Sequence, residues 1–190
     1  MPPNKIEVQV SSSENDLIGI KTLISENHLS NLSISEQNQE GFVTINYSLE
    51  NLKILHKLIP AIIAVENGHV IGYALAATKK SIGINPMLDD LIRFIDSIDY
   101  NSNCLADVPY IIVGQLCVAK THRRQKVAQK IYQVFREVYE KRFVYCITSI
   151  DQYNQGSINA HLLCGFKVIR TTTYKEKNYS LVLWDWSINR

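Results

Sequence analysis

No run of about eighteen apolar residues occurs anywhere in the chain, so no membrane-spanning helix is expected. The opening MPPNKIEVQVSSSEND has no apolar core of the kind a secretory signal carries. Neither sign of charge dominates, with 20 Lys and Arg against 18 Asp and Glu. A net charge of +2 gives no ground for nucleic acid or a membrane as the main partner, so electrostatic recognition has to be local. Cys104, Cys117, Cys146 and Cys164 lie far apart with no CxxC pair, which argues against a disulfide framework and a metal site. They read as reduced small hydrophobes of a cytoplasmic protein. Gly and Pro are sparse, and there is no repeat, low-complexity run or linker. What is present is 190 residues of ordinary globular composition, expected to form one domain over 1–190.

Ile6, Val8 and Val10 alternate with polar residues as in a half-buried strand. Ser13 or Asn15 can cap a helix with Leu17, Ile20, Leu23 and Ile24 on one stripe. The segment from Ser30 to Glu40 is polar and lacks a strong period, and a second helix is expected from near Ser48. AIIAV and VIGYALAA, separated by Glu66-Asn67-Gly68-His69, read as a hairpin, because Asn-Gly supplies the positive φ angles of a type I′ turn. Asn85-Pro86 looks like an N-cap followed by proline in the first helical position. After the polar loop YNSNC, YIIVGQLCV suits a strand buried on both faces. The basic stretch KTHRRQK leads into a long amphipathic helix. VYCITSI is another buried strand, Asn154 to Cys164 a short helix stopped by Gly165, and Phe166 to Trp186 a second hairpin. The order implies a mixed α/β sheet with helices packed on it.

Lys120, His122, Arg123, Arg124 and Lys126 stand at or just inside a helix start, where the partial positive charge disfavours cations. Several together suggest a bound anion, and phosphate is the usual guest of free N–H groups in a first helical turn. A merely solvated basic turn is the alternative.

The segment LCVAKTHRRQKVAQKI resembles the acetyl-CoA-binding motif of the GNAT N-acetyltransferase superfamily, a strand ending in valine, a short loop, then R/Q-x-x-G-x-G/A opening a helix. Arg123 takes the first position, Arg124 and Gln125 follow, and Val127 and Ala128 take the last two, while Lys126 replaces the usual glycine. Asn154, Ser157, His161 and Gly165-Phe166 resemble a second family signature, N-x-x-A/S-x-x-x-Y/H-x-x-x-G-F. The likeness extends from about Pro60 to Trp186, with the part before about residue 58 fitting only by topology.

The resemblance implies a mixed, mostly antiparallel central sheet flanked by helices, with two central parallel strands that splay apart. It implies acetyl-CoA as cosubstrate and no metal. The pyrophosphate would rest on the turn at Arg124, Gln125, Lys126, Val127, Ala128 and Gln129, and the pantetheine arm against Leu116, Cys117 and Val118 and near Asn154. A neutral amine of a small molecule or peptide would attack the thioester directly, and His161 would protonate or hydrogen-bond the leaving thiolate. An ordinary helix-surface histidine is the alternative for His161. The family's usual carboxylate positions are here Ile112 and Ser149; Asp151 and Asp107 are the nearby candidates for a base, with turn capping as the alternative. Cys117 lies in an apolar strand, where a thiol is a poor nucleophile. The segment from Asn85 to Asn103 resembles an insertion that borders the acceptor site or a homodimer interface, or merely packs on the sheet. A non-catalytic acyl-CoA sensor is the competing reading.

Overall fold

The computed structural model describes residues 5–187, with Asn38 and Gln39 described by their backbone alone. The first strand, β1 (Glu7–Val10), leads into helix α1 (Glu14–Asn27). Ser13 caps α1 in a reciprocal box with Asp16, satisfying two otherwise orphaned N–H groups. Residues 30–40, polar and without periodicity, nevertheless hold a short helix, α2 (Ile34–Glu40), nucleated by a Ser33–Glu36 capping box. Helix α3 (Leu49–Leu58) starts at Ser48 as its sequence suggests.

Strands β2 (Ile62–Glu66) and β3 (His69–Ala77) turn through Asn67 and Gly68, both at positive φ. Helix α4 (Pro86–Asp96) takes Asn85 as N-cap, and YNSNC is a miniature hairpin, β4 (Asp99–Tyr100) with β5 (Asn103–Cys104), rather than an open loop. The remaining elements are β6 (Tyr110–Val118), α5 (Val127–Tyr139), β7 (Tyr145–Asp151), α6 (Gln155–Leu162), β8 (Lys167–Tyr174) and β9 (Lys177–Asp185).

Seven strands form one sheet in the order β1-β2-β3-β6-β7-β9-β8, antiparallel throughout except at β6 and β7. One apolar layer joins α1, α3 and α4 to one face, with Ile20, Leu52, Leu88 and Ile92 fully buried beside Tyr73 and Ile112. The other joins α5 and the region of α6 to the opposite face through Ile131, Phe135, Phe166 and Trp186. The 85–103 segment therefore packs on the first face, and Tyr174 on β8 donates a hydrogen bond to Asp90 of α4 at 2.9 Å.

Candidate active site

The sheet opens at its centre. Strands β6 and β7 pair only at Tyr110 with Tyr145, Ile111 with Cys146 and Ile112 with Ile147. Beyond that point β6 keeps β3 on one side, Leu116, Cys117 and Val118 facing Ala74, Tyr73 and Gly72, while β7 pairs only with β9. The Thr148 hydroxyl donates to the Val113 carbonyl at 2.8 Å just past the last pair, closing the apex of the wedge. Gly114 is the extra residue of a bulge in β6, since Leu75 faces Gln115 and Ala76 faces Val113. A strand edge without a neighbour offers main-chain groups to an extended amide-bearing ligand.

The basic junction sits at the end of β6. Its cations divide into two sets. Lys120 pairs with Glu36 at 2.9 Å, and that contact with help from Ser33 holds the Glu36 carboxyl down at about 2. His122 lies 3.1 Å from Glu66. Arg123 turns inward: its guanidinium donates to Val118 and Glu40 carbonyls, the Glu40 carboxylate and the Asn27 side chain, at 2.6–3.0 Å. Arg124 and Lys126 are exposed and have no ion pair among the described residues. Both adopt left-handed backbone, φ 62° at each. This conformation explains why glycine is favoured at the Lys126 position, because a side chain there costs about 1–2 kcal/mol.

Lys126 is the N-cap of α5 and makes no capping hydrogen bond. The other described α-helices each have a side chain at that place, from Ser13, Ser33, Ser48, Asn85 and Asn154. The first turn of α5, including Val127, Ala128 and Gln129, thus presents uncapped N–H groups beside two unpaired cations, which suits a phosphate group. Gln125 bonds back to the Thr121 carbonyl and shapes the loop.

On the β7 side Asn154 is buried and committed at both ends. Its oxygen caps α6 at the Ser157 N–H, and its amide donates to the Phe42 carbonyl at 2.9 Å. Asp151 is 4% exposed; one oxygen accepts from the Tyr153 N–H and the other lies 3.6 Å from Lys177. Asp107 is exposed in the short turn before β6, at the paired end of the strand rather than the splayed one.

His161 is no surface residue. It is 3% exposed, with edge contacts to Tyr132 and Phe166. Burial drives its pKa down to about 4, against a smaller opposing effect of the bond to Ser157. Nδ1 lies 2.7 Å from the Ser157 carbonyl, which only accepts, so Nδ1 carries the proton and Nε2 a lone pair. The ring as placed has no proton on Nε2 to give a leaving sulfur. Cys117 is equally unsuited to covalent work, since burial pushes its thiol up to about 12.

A groove of about 500 Å³ lies elsewhere, between α5 and the end of α6, lined by Gln129, Tyr132, Arg136, Cys164 and Trp184. It shares only Gln129 with the basic junction.

The sequence matches the acetyltransferase (GNAT) family over residues 33–166, which is most of the chain. The protein belongs to the GNAT acetyltransferase family. No curated protein is similar enough in sequence to match it. Among solved structures, the NatC complex bound to Gag peptide and CoA is similar at TM-score 0.64 and 15% identity, over 95% of this chain and 98% of that one. The putative acetyltransferase yncA from Salmonella typhimurium, with acetyl-CoA, is similar at TM-score 0.63 and 13% identity, over 96% and 95%. AAC(6′)-Ib in complex with paromomycin and acetyl-CoA follows at TM-score 0.61 and 14% identity, over 96% and 94%. At such identities the likeness speaks for the GNAT fold, and the splayed β6–β7 pair is the feature of that fold that the family resemblance implies.

Proposed function

We propose that this protein transfers the acetyl group of acetyl-CoA to an amine of a small molecule or peptide by direct attack on the thioester. The observation that carries the reading is the opening of β6 from β7 directly beside the uncapped, cation-flanked start of α5. The pyrophosphate is assigned to the turn from Arg124 to Gln129, and the pantetheine arm to the free edge of β6 from Leu116 to Val118. Main-chain N–H groups of that edge polarise the thioester carbonyl. The neutral amine nitrogen forms the new C–N bond, the C–S bond breaks, and the thiolate takes a proton from water. Asp151 is the carboxylate assigned to receive the amine proton, directly or through a water. The similar structures hold a Gag peptide in one case and paromomycin in another, so peptide and small-molecule amines both belong in the test.

The prior commitment of Asp151 to Tyr153 and Lys177 favours a second reading, an acyl-CoA sensor without turnover. Release of CoA thiol across a panel of small amines and N-terminal peptides separates the two. Thiol release above the uncatalysed rate supports the transferase; binding of acetyl-CoA with none supports the sensor.

The phosphate seat has its own test. Acetyl-CoA is expected to raise the melting temperature by mass-action linkage, and pantetheine, which lacks the pyrophosphate, to raise it far less. Arg124→Glu is expected to weaken acetyl-CoA by roughly 2 kcal/mol or more in titration calorimetry, through lost attraction and added repulsion. Its fold should be unchanged, since the side chain is exposed and makes no ion pair among the described residues. Unchanged affinity would move the phosphate site off this turn.

A further inference from the structure

Tyr47 was not singled out by any pattern in the sequence. It lies in the irregular segment before α3, is 0% exposed, and packs in the apolar layer on the α1–α3–α4 face. Its hydroxyl has no hydrogen-bond partner among the described residues. A buried hydroxyl left unpaired carries an uncompensated loss of hydration, so phenylalanine would serve packing better. The hydroxyl is aimed at a particular place. It lies 3.6 Å from where a Cβ on Gly114 would sit, and Gly114 is the bulged residue of β6 at the apex of the wedge.

The segment carrying Tyr47 is fastened to the same strand. The Gln115 amide donates to the Ile45 carbonyl at 2.9 Å, while the Gln115 oxygen accepts from the Tyr73 hydroxyl at 2.6 Å. Both ends of the Gln115 amide are thereby engaged by its own neighbours. Tyr47, two residues beyond Ile45, is the hydroxyl of this cluster left without a partner. Other orphaned polar atoms, Tyr132 Oη and Trp186 Nε1, lie in the layer on the opposite face.

We infer that the Tyr47 hydroxyl is a further catalytic group, donating a hydrogen bond to the carbonyl oxygen of the bound acetyl group at the β6 bulge. The inference rests on the acetyl-transfer reading above. Burial foremost, with the Asp89 carboxylate adding to it, keeps the phenol protonated, so it is a donor and not a base. As the amine attacks, negative charge gathers on the carbonyl oxygen, and a fixed donor at that oxygen lowers the barrier.

The test uses the whole chain and two variants. Tyr47→Phe removes the donor alone. Gly114→Ala keeps the donor and sets a methyl beside it; that methyl meets only ordinary contacts, 3.6 Å to the Tyr47 hydroxyl and 3.8 Å to the Leu75 carbonyl. Each is expected to fold, to bind acetyl-CoA as the parent does, and to lose about 10²-fold in kcat. Tyr47→Phe should be at least as stable as the parent. Infrared difference spectra of bound acetyl-CoA, labelled with ¹³C at the thioester carbonyl, give a readout that needs no acceptor. The band should move to higher frequency in Tyr47→Phe as the hydrogen bond is lost. If acetyl-CoA binds and the parent turns over, but band and kcat are the same in Tyr47→Phe, this inference alone fails. If the parent neither binds acetyl-CoA nor releases thiol with any amine, the acetyl-transfer reading fails and takes the inference with it.

Discussion

Arg123→Ala is expected to destabilise the protein by roughly 3 kcal/mol, the low end for removal of one member of a buried pair, because the cluster is half-buried but densely hydrogen-bonded. The guanidinium holds together the end of β6 at Val118, the C-terminal residue of α1 at Asn27, and the end of α2 at Glu40. Asn27 is 1% exposed, and its oxygen would lose the donor it has at 2.6 Å. Water cannot readily replace that bond. Arg123→Lys should recover only part of the loss, because one ammonium cannot reach acceptors on three elements as the planar fork does. Urea unfolding of the three proteins measures this. A loss below about 1 kcal/mol, the scale of an exposed ion pair, would show that the cluster is decoration on a fold set elsewhere. The same variant bears on the cofactor reading, since a phosphate contact by Arg123 would first require it to leave these partners.

The second large effect concerns acid. His161 titrates near 4 in the folded protein, and burial is the main cause. An exposed imidazole in the unfolded chain titrates near 6.5. As pH falls through that window, the unfolded chain takes up a proton that the folded one resists. The stability is therefore intact above about 6.5 and drains away toward pH 4, by up to about 3 kcal/mol. His161→Phe fits the aromatic surroundings of Tyr132 and Phe166 and should flatten this acid slope. With Nδ1 bound to Ser157 and no proton on Nε2, the ring has little to offer a leaving thiolate at neutral pH. We accordingly expect kcat of His161→Phe within about threefold of the parent. A hundredfold loss of kcat with an unaltered acid profile would restore the donor role implied by the family signature.

Much of this site was legible before any coordinates. The strand YIIVGQLCV, the basic turn and the helix after it follow from local rules, because β-branched runs, caps and turn residues act over a few positions. Ser13, Ser48, Asn67-Gly68 and Asn85-Pro86 each fixed an element boundary in this way. Helix α2 escaped notice although Ser33 and Glu36 form a capping box, since Ile34 is 78% exposed and no apolar stripe follows it.

The rest of the site depends on contacts between elements far apart in the chain. Arg123 reads as an anion ligand by position, yet Glu40 and Asn27, 83 and 96 residues away, join the nearby Val118 carbonyl in turning it inward. His161 reads as a helix residue with a titratable ring, but packing against Tyr132 of α5 and Phe166 removes its water and with it the charged form. Tyr47 carries no local signal at all; its meaning comes from a bulge in β6 that forms because β3 and β6 pair out of step around Gly114. The order of elements and the basic turn are local properties, readable from the residues alone because they depend on neighbours within a turn or two. Burial decided which cations stay free, which nitrogen keeps a proton and which hydroxyl is left unpaired, because desolvation and pairing depend on what the whole fold brings within a few ångströms.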